Sequence, residues 1–211
     1  MNSSETPILI ELHYLPSLEF FTRLVRGNSV VLEAQENYVK QSFRNRCYIA
    51  DANGTLPLTV PVIGGRKKIQ IREVRIDHNQ HWKNVHLRAL RSAYGRAPFF
   101  EFYFDYFGDV LQKREKYLFD FNLALLTVCL QSLGLTNSIS LSETYLRETE
   151  GIFLDQRNLI APKSDFTNRT FYQPVSYVQV FGKDFAPNLS IVDLIMNEGP
   201  NSLTVLKASA L

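Results

Sequence analysis

The chain has 211 residues, of which 45% are hydrophobic and 21% are charged, and this balance is ordinary for a soluble globular protein. Its longest apolar-rich run, residues 123–135, is interrupted by Thr127 and Gln131 and is shorter than the ~20 residues that a membrane-spanning helix needs. The N-terminus does not resemble a signal peptide, and Cys47 and Cys129 lie in apolar segments as free, buried thiols do, so we expect a cytoplasmic protein.

The net charge of +2 conceals an uneven distribution along the chain. Residues 40–96 contain 12 Lys and Arg against 3 Asp and Glu, whereas the rest contains 11 against 18. A basic middle segment indicates an anionic partner such as a nucleotide, a phosphate, a carboxylate or a nucleic acid, although scattered basic residues also form ordinary solvated faces. The chain lacks helix-turn-helix, zinc-finger and aromatic RNA-binding motifs, which disfavours nucleic acid.

The N-terminal segment predicts a βαβ unit. Residues 7–12 form a short apolar strand, Ser17 caps a helix that ends at Gly27, and residues 30–32 form a second strand. This order is typical of two parallel strands joined by a helix. The predicted fold class is therefore α/β, with a parallel-core sheet and flanking helices.

Polar residues follow both predicted strands. His13 and Tyr14 come after the first strand, and Glu33 ends the second. Ligands of parallel sheets gather at the carboxyl ends of the strands, so these three side chains are candidate site residues. Neither G-x-G-x-x-G nor G-x-x-x-x-G-K-[ST] occurs in the chain, which disfavours a dinucleotide or P-loop site and leaves the cofactor unassigned.

A polar loop, residues 34–46, follows the second strand and contains Lys40, Asn45 and Arg46. Such a loop is either a plain connection or a ligand-binding loop, and its charge and amide content favour the second. Beyond it, Asn53-Gly54 between two apolar runs predicts an edge β-hairpin over about residues 46–62. Residues 69–76 predict another strand.

Residues 79–94 predict a helix that Asn79 caps and that stops at Gly95. The positions that share its apolar stripe are Trp82, His86, Ala89, Leu90 and Ala93. His86 is therefore either a half-buried histidine bonded to a backbone carbonyl or a general acid/base at the edge of a pocket.

Two further features flank this helix. Asp77, His78 and His81 precede it, but no thiolate joins them and we do not expect a metal site. The aromatic run 99–107 that follows is typical of core packing, and the Glu101 carboxylate within it is either turned to solvent or paired with an arginine.

The C-terminal third changes in character. Residues 117–133 predict a buried helix that ends at Gly134, and residues 139–141 predict a strand that extends the parallel sheet. We divide the chain into a main α/β domain, residues 1–142, and an extended tail, residues 143–211, that packs on it. Within the tail, Ser190 and Asp193 resemble a capping box at the start of a last helix that stops near Gly199-Pro200.

Short elements spread over the whole chain carry a family resemblance. They are Tyr14-Leu15-Pro16, Lys40 with Asn45-Arg46, Asn53-Gly54 followed by Leu58-Thr59-Val60-Pro61-Val62, Trp82 with His86, Tyr94, Pro98 with Phe99-Phe100, Asn188-Leu189-Ser190-Ile191-Val192-Asp193-Leu194, and Gly199-Pro200. Their joint spacing resembles the WbqC-like family. The resemblance implies a protein of surface-polysaccharide (O-antigen) clusters that transfers a small group, with glycine transfer proposed. Where many members have Gln-Pro before the Tyr-x-Pro element, this chain has Leu12-His13, which weakens a catalytic role for His13.

The first functional hypothesis is a transferase that acts on an activated, anionic donor. Arg46 and Lys40 would bind a phosphate or carboxylate, and Asn45 would orient a carbonyl. The candidates for acid–base catalysis are His86, Glu33 and His13, with His86 as the preferred base. The remaining candidates for substrate contacts are Tyr14, Trp82, Tyr94 and Glu101.

Two other hypotheses remain open. The chain could be a non-catalytic module that binds a carbohydrate or a partner enzyme, with the aromatic run 99–107 as an exposed docking surface. It could also bind nucleic acid through the basic segment 40–96, with an affinity that falls steeply with salt. We rank these second and third.

Overall fold

A four-stranded parallel sheet forms the core of the structure, a computed structural model that describes residues 6–26, 29–52, 54–64, 68–147, 149–181 and 184–211. Its strands are β1 (Ile8–Glu11), β2 (Val30–Glu33), β7 (Ile139–Leu141) and β8 (Leu154–Asp155), in the spatial order β7-β2-β1-β8. Every neighbouring pair is parallel. The predicted α/β class with a parallel core is confirmed.

The βαβ unit is also confirmed. Helix α1 (Leu18–Leu24) joins β1 to β2, and Ser17 stands at its N-cap position without a side-chain cap bond. The helix ends at Leu24, and the predicted stop at Gly27 lies outside the described residues. Six of its seven residues are buried, because the C-terminal helices pack against it.

The predicted hairpin forms a separate two-stranded antiparallel sheet. It consists of β3 (Arg46–Asp51) and β4 (Gly54–Thr59), and Asn53 of its turn lies outside the described residues. The short strands β5 (Val62–Ile63) and β6 (Arg75–Ile76) form a second antiparallel pair. The prediction of a strand over residues 69–76 is wrong for its middle part, since Ile71–Glu73 is a turn of 3-10 helix.

Helix α2 (Trp82–Tyr94) carries the predicted apolar stripe. Trp82, His86, Leu90 and Ala93 are buried along it, as the helical spacing indicates. The predicted cap at Asn79 is wrong. His81 holds the N-cap position, because the Asp77 carboxylate accepts the Asn79 backbone N–H at 3.0 Å and keeps the chain in a turn there.

The aromatic run forms a helix with two different faces, α3 (Phe100–Gln112). Phe104 and Phe107 are buried, whereas Phe102 is 70% exposed and Tyr106 is 61% exposed. Glu101 is exposed, which selects the solvent-facing alternative for its carboxylate. The run is therefore divided between core packing and surface.

Helix α4 (Leu118–Leu133) packs against α3 and ends as predicted. Gly134 adopts a left-handed conformation with φ of 66°, and the Leu135 N–H donates to the Leu130 carbonyl at 2.9 Å, which completes a glycine-based helix stop. Cys129 on this helix and Cys47 on β3 are both free and buried, as predicted. None of the described helices combines the length and the apolar character needed to cross a lipid bilayer.

The C-terminal segment contains more regular structure than its sequence indicates. Strand β8 joins the sheet beside β1, and helix α5 (Ile191–Glu198) begins at Ser190 as predicted. The predicted capping box is wrong, because the Ser190 hydroxyl accepts the Val192 N–H at 3.4 Å and the Ser190 N–H donates to the Tyr48 carbonyl rather than to Asp193. Helix α5 stops at Glu198, next to Gly199-Pro200, as predicted, but it is not the last helix of the chain. A 3-10 turn, Gly199–Asn201, leads into a further helix, α6 (Ser202–Ser209), which sequence reasoning missed.

Candidate functional site

Two glutamates stand at the carboxyl ends of the central strands. Glu11 ends β1, Glu33 ends β2, and the parallel register places them opposite each other. Both are fully buried in an otherwise apolar sheet. A buried carboxylate needs ionic or hydrogen-bonding partners, and the segments that supply these partners converge at this edge of the sheet.

Arg44 is the centre of the buried network around Glu11. Its Nε and Nη2 donate to the two carboxylate oxygens of Glu36 at 2.7 and 2.5 Å, and Nη2 also donates to Asn158 Oδ1 at 2.9 Å. Its Nη1 lies 3.7 Å from Glu11 Oε1. Within the described residues no hydrogen bond uses Nη1, so this nitrogen retains donors for a ligand.

The loop that carries Arg44 is fixed by backbone contacts. The Phe43 carbonyl accepts the Tyr14 N–H at 2.8 Å, and the Arg44 carbonyl accepts the Asn122 side-chain amide at 2.7 Å. Asn45 binds Val60 in both directions, with its side chain and backbone each 2.8–2.9 Å from Val60 atoms. The guanidinium is therefore held on a rigid support.

Residues 155–158 form a strap across the strand ends. The Asn158 N–H donates to Glu11 Oε2 at 2.9 Å, and Arg157 Nη1 donates to Glu33 Oε2 at 2.8 Å. Ser142 after β7 donates its hydroxyl to Glu33 Oε1 at 2.6 Å. Glu11 and Glu33 are therefore both held by partners within the fold, and of the two only Glu11 lines the space beside Arg44.

His13 approaches Glu11 from the interior. Its Nε2 donates to Glu11 Oε1 at 3.1 Å, and its ring packs against Phe20 and Phe43. Its Nδ1 is buried without a hydrogen-bond partner among the described residues. His13 is fully buried, so it can act on a ligand only through Glu11.

The pKa values of the two carboxylates beside Arg44 are shifted in opposite directions. Burial opposes ionisation of Glu11, but the His13 hydrogen bond and the charges of His13 and Arg44 outweigh it and hold the pKa of Glu11 below its ordinary value. Burial raises the pKa of Glu36 despite its contacts with Arg44. Neighbouring groups with opposed pKa shifts are typical of acid–base sites. Glu11 is the ionised member and can accept a proton.

A cleft of about 250 Å³ opens beside these groups. This strand-end cleft is lined by buried Glu11, Ser42 and Arg44 and by exposed Gln41, Asn158 and Lys163. Gln41 and Asn158 have φ angles of 58° and 60°, a left-handed conformation that is uncommon outside glycine and that recurs at functional sites.

The predicted pair Trp82–His86 lies in the core rather than in this cleft. The Tyr14 hydroxyl is 2.8 Å from His86 Nδ1, and the other ring nitrogen of His86 donates to the Thr59 backbone carbonyl. His86 is only 3% exposed and its ring packs on Trp82. Burial lowers the pKa of His86 to about 4. The structure therefore joins Tyr14, Trp82 and His86 but does not bring them to the strand-end cleft.

The burial of His86 predicts a pH dependence of stability. Its folded pKa of about 4 lies below the ordinary 6.5, so the unfolded chain binds the proton more tightly and stability falls as pH drops from about 6.5 to 4. We expect His86 to contribute about 2–3 kcal/mol to the loss of unfolding free energy between pH 7.5 and pH 4.5. Urea unfolding at both pH values should show a smaller drop in a His86→Gln variant by that amount. Equal drops in the two proteins would contradict it.

The other predicted site residues are dispersed. Lys40 lies exposed in the loop near the cleft, whereas Arg46 lies on β3 with its Nε 3.2 Å from Thr59 Oγ1. Tyr94 is fully buried and its hydroxyl accepts the Ala50 N–H at 3.3 Å. Glu101 lies on the outer face of α3. The catalytic and binding roles assigned to these residues stay predictions.

Sequence reasoning did not select Glu11, Glu36, Arg44, Asn158 or Lys163. A signal existed for Glu11, because a lone carboxylate at the end of an apolar strand must find a partner. Arg44 was two positions from the arginine that was chosen. His78 and His81 line a separate shallow cleft at the start of α2, and among the described residues no three His, Cys, Asp or Glu side chains are grouped to hold a metal ion.

Comparisons with known proteins place this geometry in a family context. The WbqC-like protein family matches residues 12–161 and 153–205, and these ranges include Arg44, Asn158 and Lys163. The chain is 25% identical over 224 residues, which cover 94% of this chain and 96% of the relative, to the uncharacterized protein Rv1507c of Mycobacterium tuberculosis (strain ATCC 25618 / H37Rv). No solved structure matches the chain.

Proposed function

The chain belongs to the WbqC-like protein family, and from that membership and the strand-end geometry we propose that it is a transferase of surface-polysaccharide assembly. It transfers a small acyl or aminoacyl group, such as glycyl, from an anionic activated donor to an acceptor hydroxyl or amine. The strand-end cleft is its site. The proposal includes a cytoplasmic location, where activated donors are made.

The observation that carries the proposal is the pairing of Glu11 with Arg44 beside one cleft. Glu11 has a pKa held below its ordinary value, so it is ionised at neutral pH, and it lines the cleft in which the acceptor would release its proton. Arg44 Nη1 lies 3.7 Å from Glu11 Oε1, beyond hydrogen-bond distance, so its N–H donors can turn to a ligand anion, and Lys163 adds a second cation at the rim. A base and an anion-binding group within one cleft are what acyl transfer from an anionic donor requires.

The proposed reaction is a direct transfer of the acyl group from the donor to the acceptor. The acceptor oxygen or nitrogen attacks the carbonyl carbon of the donor, and its proton passes to the Glu11 carboxylate. The new C–O or C–N bond forms while the bond from that carbon to the anionic leaving group breaks. Arg44 and Lys163 bind the departing anion. His13 positions Glu11, and Lys40 attracts the donor to the cleft.

His86 remains the alternative base within the same proposal. Burial lowers its pKa to about 4, so its basicity gives it no advantage over the Glu11 carboxylate, and it lines no part of the strand-end cleft. A role for it would need the Tyr14–His86 pair to become accessible when the ligand binds. The experiment on Glu11 therefore also includes a His86→Gln variant.

The proposal is tested in the native host after deletion of the gene. The readout is the fraction of polysaccharide repeat units that carry the small substituent, measured by NMR of the purified polymer. The wild-type protein should restore it, Glu11→Gln should leave the level of the deletion strain, and Lys163→Ala should restore it only in part. Lys207→Ala, an exposed lysine on α6, is the matched control and should restore it fully.

The outcomes separate the candidate bases. Full restoration by Glu11→Gln would overturn the assignment to the strand-end cleft. Failure to restore supports the assignment when thermal melting shows that the variant is folded. Loss of the substituent with His86→Gln, together with restoration by Glu11→Gln, would assign the chemistry to His86. A deletion strain with an unchanged polysaccharide would overturn the transferase itself.

A second function, binding without catalysis, is favoured by the outer face of α3. Phe102 and Tyr106 are exposed there, and Tyr103 and Tyr106 line a shallow depression of about 330 Å³ with Gln131 and Ser132. Exposed aromatic rings beside amide and hydroxyl groups suit a carbohydrate. In the same host, a Phe102→Ser/Tyr106→Ser protein that abolishes the substituent while Glu11→Gln restores it would favour this function.

A further inference from the structure

A second pocket adjoins the strand-end cleft. This aromatic pocket has a volume of about 210 Å³ and is lined by the rings of Phe43, Tyr48 and Phe166, with Thr55 and Ser164 beside them. Ala161 and Pro162 line both the aromatic pocket and the strand-end cleft, so the two spaces are neighbours on either side of that dipeptide.

Two chain segments alternate between the spaces. Ser42 and Arg44 line the cleft while Phe43 between them lines the aromatic pocket. On the other segment, Lys163 lines the cleft and Ser164 lines the aromatic pocket. The two cations therefore face the cleft and the aromatic rings face the pocket, from neighbouring positions of the same two segments.

The sizes indicate a single ligand that occupies both. Each space alone is smaller than the ~300–1,000 Å³ of a typical small-molecule site, whereas the two together fall within that range. The cleft offers Arg44 and Lys163 to an anion, and the pocket offers aromatic faces to a ring. Because the two spaces share Ala161 and Pro162 as a border, they fit an anion attached directly to a ring.

We propose that the ligand of this double site is a phosphorylated ring compound, either a sugar phosphate or a nucleoside monophosphate unit. Its phosphate lies in the strand-end cleft and its ring lies in the aromatic pocket. This inference rests on the proposed function for the identity of the cleft, and it adds the chemical class of the donor or acceptor that the cleft takes.

Isothermal titration of the wild-type protein with matched probes tests the class. The probes are inorganic phosphate, glucose 1-phosphate, uridine 5′-monophosphate, and the uncharged glucose and uridine. We expect at least one phosphorylated ring to bind about tenfold more tightly than inorganic phosphate, and the uncharged rings to bind more weakly than either. The preferred member distinguishes a sugar from a nucleoside. Equal affinities for inorganic phosphate and for both phosphorylated rings would overturn the inference.

Variants assign the ring and the anion to their spaces. Tyr48→Ala and Phe166→Ala should each lower the affinity for the phosphorylated ring by about tenfold and leave the affinity for inorganic phosphate unchanged. Lys163→Ala should lower both affinities. Lys207→Ala, an exposed lysine on α6 that lines neither space, is the control. Because the wild-type titration uses no variant, loss of folding in one of them does not remove the test. If phosphorylated rings bind more tightly than inorganic phosphate but the polysaccharide substituent does not depend on the protein, this inference stands and the transferase is rejected. If the substituent depends on the protein but phosphorylated rings bind no more tightly than phosphate, the transferase stands and this inference is rejected.

Discussion

Replacement of Arg44 with methionine should lower the free energy of unfolding at pH 7.5 by about 3–5 kcal/mol. Arg44 is 2% exposed and is the cation between the buried carboxylates of Glu36 and Glu11. Methionine fills much of the same space but leaves Glu36 without its ion-pair partner, Glu11 without one of its two basic neighbours, and Asn158 Oδ1 without its donor. Urea unfolding of the two proteins measures the difference.

A second substitution and a lower pH separate charge from packing. In the Arg44→Met protein the pKa of Glu36, already raised by burial, rises further, so the variant regains stability as pH falls and Glu36 is protonated. We therefore expect the gap to wild type to narrow at pH 5. The double variant Arg44→Met/Glu36→Leu should be more stable than Arg44→Met at pH 7.5, because the uncompensated charge is gone.

Arg46 provides the matched control. It lies two positions away on β3 and is only partly buried, and its one side-chain hydrogen bond within the described part of the chain is to Thr59 Oγ1 at 3.2 Å. Arg46→Met should change the unfolding free energy by no more than about 0.5 kcal/mol. Similar losses for Arg44→Met and Arg46→Met would show that the buried network has no special role in stability.

The contrast between these two arginines shows where sequence reasoning stopped. The local pattern placed a polar, basic loop next to the strand ends, and that part of the prediction follows from short-range information. The choice of Arg46 over Arg44 depended on which side chain turns inward. That is decided by Glu36 and by Asn158, which lies 114 residues away along the chain, and no periodicity encodes such a contact.

His86 illustrates the same division. Helical spacing correctly placed it on the buried stripe of α2. Its partner, Tyr14, is 72 residues away, and their hydrogen bond occupies Nδ1 of the His86 ring. The first of the two readings, a histidine bonded to a backbone carbonyl, therefore describes its observed contacts, including the one to Thr59.

The two missed elements have different physical causes. Strand β8 is two residues long and owes its conformation to pairing with β1, so its own sequence carries no strand pattern. Helix α6 follows directly on Gly199-Pro200, which normally ends a helix. In this chain the pair turns the backbone between two helices, which makes Gly199 a position of unusual constraint.

Gly199→Ala should lower the free energy of unfolding by about 3–5 kcal/mol, through backbone strain and overpacking together. Gly199 has φ of 51° and ψ of −122°, a conformation open mainly to glycine. A Cβ there would lie 2.4 Å from Cδ1 of Phe99, whose N–H is tied to the Met196 carbonyl at 3.0 Å, so the ring cannot simply withdraw with its backbone.

Two comparisons resolve the strain of Gly199→Ala from its clash. Gly134→Ala keeps a positive φ, of 66°, but its Cβ would meet nothing within 4 Å, and we expect a loss of only about 1 kcal/mol. In a Phe99→Ala background the clash is absent, so Gly199→Ala should there cost about 1–3 kcal/mol, which leaves the strain alone. Urea unfolding of the four proteins of this cycle measures the coupling. If Gly199→Ala has the same effect with and without the Phe99 ring, the close approach of that ring is not what requires glycine, and the backbone conformation alone accounts for the residue.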